Sequence, residues 1–76
     1  MARPAGEVSL ALLRAAAELQ TAERAPTMRE LAHHAMVGVE PANVAVKNLK
    51  RTGRLLQVRL RNVPHRTRPV AEYAPA

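Results

Sequence analysis

The hydrophobic period of this chain changes at Gly53, and that change restricts the fold more than any other feature. Before it, apolar residues recur every three or four positions. After it, they alternate. Helices need the first spacing and strands the second. In "LLQVRLR", Leu56, Val58 and Leu60 alternate with Gln57, Arg59 and Arg61. The alternation predicts a strand over about 55–62, with its aliphatic side chains in the core and its arginines outward. "NVPHRTRP" is rich in turn formers, and "VAEYA" predicts a returning strand over about 69–74.

Upstream, three helices are expected, over about 9–23, 28–36 and 40–52. Residues 1–8 lack periodicity and read as a flexible N-terminus, leaving 9–74 as one domain. Ser9 is a candidate cap for the first helix, whose apolar rows are Leu10, Leu13, Ala17 and Leu12, Ala16, Leu19. Pro26 interrupts with a short extended linker. Thr27 and Glu30 then form a T-x-x-E capping box for the second helix. Gly38 can take a positive φ in the next turn, Pro41 suits a first helical turn, and Gly53 suits the position after a cap. In the third helix, 100° per residue places Ala42, Ala45, Val46 and Leu49 on one face. Glu40, Asn43, Val44, Lys47, Asn48 and Arg51 fall on or near the other. The fold class is α+β, mainly α: three helices followed by a C-terminal β-hairpin.

Seventy-six residues allow one small core but little room for a pocket beside it. There is no cysteine or aspartate, and His33 and His34 point about 100° apart on a helix, so no metal site or catalytic set assembles. We therefore expect no enzyme activity, no cofactor and no small-molecule substrate. The apolar run "VSLALL" is too short and too charged at its flanks for a membrane span, and a cytoplasmic location is expected.

Charge points elsewhere. Residues 1–40 carry four basic and five acidic side chains, whereas residues 41–71 carry eight basic and no acidic ones. Such a split is the electrostatic footprint of a phosphate-binding protein. Tyr73 is the only aromatic residue and reads as a core anchor. Single-strand and RNA binders stack bases on several rings, so duplex DNA is the expected partner. Asn43, Val44 and Lys47 are suited to base edges: Asn to adenine, Lys to guanine, a valine methyl to thymine. Arg59, Arg61, His65, Arg66 and Arg68 in the hairpin, with Lys50, Arg51 and Arg54 after the third helix, are candidate phosphate contacts.

The stretch "MRELAHHAMVGVEPANVAVKNLKRTGRL" resembles winged helix-turn-helix DNA-binding domains, most of all small prophage- and plasmid-type transcriptional regulators. The matching positions are Leu31 and Ala32, Val37 in the turn, Ala42, Val46 and Leu49, then Gly53 and Leu55 leading into the wing. The resemblance covers roughly Ser9 to Tyr73. It implies sequence-specific binding of double-stranded DNA, with the third helix in the major groove and the basic wing on the backbone. It also places Arg29 where the family's backbone contacts fall. The chain departs from the pattern at Met36, where glycine is usual, at Ala42, and at Glu40-Pro41, which begin the reading helix. A homodimer through the Leu- and Ala-rich first helix is expected. The alternative is a winged-helix module for protein contacts in replication or assembly.

Overall fold

The computed structural model describes residues 5–64 and 67–76. It contains α1 (Ala5–Leu19), α2 (Met28–His34), α3 (Val39–Arg51), β1 (Leu55–Arg61) and β2 (Val70–Pro75). The strands pair antiparallel, so three helices precede a hairpin in a mainly helical α+β layout, as the change of period requires. Among the described residues no helix is long and apolar enough to cross a membrane.

The first helix begins earlier than its expected cap. Ser9 lies inside it, and Ala5–Val8 are helical rather than loose. Val8 is buried, one turn before Leu12, so tertiary burial supports a start that local capping did not signal. The buried stripe is Val8, Leu12, Ala15 and Ala16, while Leu10 and Ala17 face solvent. The helix also stops at Leu19 rather than near residue 23. There the Thr21 hydroxyl accepts the amides of Glu23 and Arg24 at 3.3 and 3.1 Å, giving the backbone a turn in place of another helical one.

The second helix has the expected capping box. Thr27 Oγ1 accepts the Glu30 amide at 3.3 Å, and Glu30 Oε1 accepts the Thr27 amide at 2.9 Å. The second and third helices end alike. The Met36 amide bonds His33 O and the Val37 amide bonds Ala32 O; the Gly53 amide bonds Lys50 O and the Arg54 amide bonds Leu49 O. Both are Schellman turns, which need a left-handed residue just past the cap. Gly53 supplies it with φ 76°, but in the first turn the residue is Met36, with φ 56°. Gly38 was the expected bearer of a positive φ. It instead has φ −61° and serves as an extended N-cap for α3, because the turn was already made two residues earlier.

A left-handed side-chain residue costs roughly 1–2 kcal/mol, and Met36 is 85% exposed, so no burial offsets it. Met36→Gly is expected to stabilise the fold by about 1 kcal/mol, and Gly53→Ala to destabilise it by a similar amount. Urea denaturation of the two variants checks both signs.

The core joins Val8, Leu12, Ala15, Ala16, Leu31, Ala32, Ala42, Ala45, Val46, Leu49 and Leu55, with Tyr73 packed at its margin. The third helix buries the four residues its period assigned. The hairpin does not. Leu56, Val58 and Leu60 are 49%, 45% and 60% exposed, while Arg61 is partly buried. The strand already starts on the other face, with Leu55 buried and Leu56 exposed, and an irregularity follows between Gln57 and Arg59. A regular ladder starting from Leu55↔Pro75 would set Val58 opposite Glu72. The shift sets Arg59 there instead. Because strand side chains alternate, the shift places Arg59, and Arg61 two residues on, on the side of β2 that carries Glu72.

Candidate nucleic-acid interface

The outward face of α3 carries Asn43, Val44, Lys47, Asn48 and Arg51, all exposed. Val44 is 60% exposed between polar neighbours. The opposite face is locked by burial of Ala42, Ala45, Val46 and Leu49, which fixes the rotation of the helix. At its C-terminal end, Arg51 Nη2 donates to Asn48 Oδ1 at 3.3 Å. Lys50 Nζ reaches Gln57 Oε1 at 3.4 Å and lies 5.6 Å from the centre of the Tyr73 ring. This contact holds Lys50 against the hairpin. Burial raises the Tyr73 hydroxyl above the ordinary tyrosine range.

The basic residues separate into two groups. Arg29, Lys47, Arg54 and Arg68 are exposed and make no side-chain hydrogen bond or ion pair among the described residues. Arg59 and Arg61 are engaged within the fold. Glu72 is 1% exposed and sits at the centre of their network. Its Oε1 forms an ion pair with Arg59 Nε at 3.0 Å and accepts from the Ala25 amide at 3.3 Å. Its Oε2 accepts from Arg61 Nε at 2.6 Å. Arg61 Nη2 also donates to Glu30 Oε1 at 2.6 Å and to Ala25 O at 3.0 Å. Arg59 Nη1 donates to Glu23 O at 2.7 Å, and Arg24 Nη2 pairs with Glu30 Oε2 at 2.5 Å.

These contacts set the acidities. The Arg61 hydrogen bond, with the Thr27 amide and the charges of Arg61 and Arg24, outweighs desolvation and holds the Glu30 carboxyl down to about 2. Burial alone would push Glu72 up; the Arg61 hydrogen bond, the Ala25 amide and the two arginine charges reverse this and leave it lowered. Arg61 is raised, chiefly by Glu30.

The expected hairpin arginines, free of any compensating acid, are therefore corrected by geometry. Glu30 and Glu72 do compensate them, one from α2 and one from the returning strand. Arg61 spends all three guanidinium nitrogens internally, while Arg59 keeps Nη2 and about half its surface. His65 and Arg66 lie outside the described residues. Glu72 was the residue that sequence reasoning missed. Its one signal was an acid alone in the apolar strand "VAEYA", the only acid after residue 40.

The network also ties the hairpin to the helices. The Tyr73 amide donates to Pro26 O at 2.8 Å and Thr27 bridges Glu72, so the linker before α2 adds a short third strand edge beside β2. Comparison with family models, curated proteins and solved structures finds no match for this chain.

Proposed function

We propose that the chain is a winged helix-turn-helix domain that binds double-stranded DNA as a small transcriptional regulator. One observation carries the reading. The rigidly oriented α3 presents Asn43, Val44 and Lys47 to solvent, while among the described residues Arg29, Arg54 and Arg68 make no side-chain hydrogen bond or ion pair and Arg61 is held by Glu30 and Glu72. Asn43 and Lys47 supply the hydrogen-bonding groups and Val44 the methyls that distinguish base pairs in the major groove. Arg29, Arg54 and Arg68, with Lys50 and Arg51, supply backbone contacts. Arg61 is reassigned as a positioning residue that holds the hairpin.

Selection of bound sequences from a random duplex pool tests this. One enriched motif is expected, and Asn43→Ala and Lys47→Ala should each weaken binding to it by about 1–3 kcal/mol. An unselective pool, with both variants binding like the parent, would overturn it.

A homodimer through the outward side of α1 accompanies the proposal, since Leu10 and Ala17 are exposed there. Sedimentation should show a dimer at tens of micromolar that Leu10→Glu abolishes.

The protein-contact reading draws support from a different surface, the exposed Leu56, Val58 and Leu60. It is favoured if Leu56→Ser disrupts a protein complex while Asn43→Ala and Lys47→Ala leave DNA binding unchanged.

A further inference from the structure

The length of the chain argued against a roomy pocket, yet a cleft of about 540 Å3 opens between the end of α1 and the outer side of α2. It forms because α1 stops at Leu19 and the Thr21 turn carries the chain away before α2 begins. Leu19 and Pro26 give it an apolar floor, while Arg24, Arg29, His33 and His34 line its polar side. No residue of α3 or of the hairpin lines it, so it lies apart from the proposed base-reading residues and shares only Arg29 with the proposed phosphate contacts.

Its charge is not balanced from within. Glu30, its one carboxylate, is taken by Arg61, Arg24 and the Thr27 amide. His34 faces Glu18 at 3.4 Å. Arg29 and His33 stand one helical turn apart on α2, and neither makes a side-chain hydrogen bond among the described residues. Counting Arg24 and Arg29 against Glu30, the cleft has one positive charge in excess from its arginines.

We propose that this cleft binds a small organic carboxylate with an apolar body. The carboxylate is held by Arg29, in the bidentate geometry that guanidinium favours, with His33 beside it. The apolar body lies on Leu19 and Pro26. A monoanion matches the single excess charge; a dianion does not. The volume falls within the usual range of small-molecule sites. The site stands whether or not the chain binds DNA.

The experiment is an amide chemical-shift titration of the whole chain with 2-naphthoate, beside 2-naphthalenemethanol and inorganic phosphate. Naphthoate is expected to saturate with a dissociation constant on the order of 1 mM, the strength that about a dozen heavy atoms supply at about 0.3 kcal/mol each. Shifts should centre on Leu19, Thr21, Arg29 and His33. Arg29→Met and His33→Ala, both at exposed positions, should each weaken binding at least threefold while the amides of Leu12, Leu31 and Leu49 stay unmoved. Three results would overturn the proposal: no saturation by 10 mM, shifts centred elsewhere, or equal binding of the alcohol or of phosphate alone.

Discussion

Replacing Glu72 with Gln is expected to cost about 3 kcal/mol or more, because it leaves Arg61 and Arg59 beside a neutral group in a buried position. At about 0.05–0.15 kcal/mol per residue, the whole domain holds only about 4–11 kcal/mol. The loss is therefore a large share of the total, equivalent to a fall of more than about 10 °C in Tm. Thermal unfolding followed by circular dichroism measures it directly. The double variant Glu72→Leu with Arg61→Met should lose much less than the two single changes added together, since it removes the unpaired charge as well as its partner. Simple additivity would mean that the two groups do not act as a unit.

The same network makes the fold sensitive to acid, and the direction follows from Glu30. Its carboxyl titrates near 2 when folded, against 4.5 for the unreacted group. A lowered folded value means that this stabilisation is complete above about pH 4.5 and is lost as pH falls toward 2. Glu30 is about one-third exposed, so solvent screening reduces its share to about 1–2 kcal/mol. Glu72, also lowered, adds loss in the same direction. Urea midpoints at pH 7, 5 and 3 should be nearly equal at the first two and distinctly lower at the third. In Arg61→Met the drop between pH 5 and 3 should be smaller.

Under the proposed duplex binding, raising salt from 50 to 200 mM is expected to weaken the complex by about 500-fold. The figure comes from five phosphate contacts by Arg29, Lys50, Arg51, Arg54 and Arg68, each contributing about −0.9 to the slope of log affinity against log salt. Counting Arg59 and Arg61 as well would steepen the slope from about −4.5 to about −6, so titration by fluorescence anisotropy distinguishes the two assignments. Arg54→Ala should flatten the slope by about 1. Arg61→Met should lower stability and leave the slope unchanged. If Arg61→Met also flattens the slope, Arg61 touches phosphate and its reassignment fails. A binding that ignores salt would remove the backbone contacts altogether.

Much of this was legible in the chain itself. Local chemistry determined the capping box at Thr27 and Glu30, the Gly53 stop and the buried stripe of α3, because each depends on residues within a turn or two of one another. The same holds for the outward face with Asn43, Val44 and Lys47. Met36 was visible as a departure from pattern, but only the backbone showed that it carries the strained φ assigned to Gly38.

Tertiary structure decided the start of α1, where burial of Val8 overrode a plausible cap at Ser9. Above all, it decided the hairpin. Alternation specifies which residues share a face but not which face meets the core. One inserted residue at Val58 set Arg59 opposite Glu72 and brought Arg61 onto two glutamates that lie 31 and 11 positions away from it in sequence. Charge counted along the chain could only sum those groups. Their pairing depends on distance in space, and that distance exists only once the strand, the linker and α2 have come together.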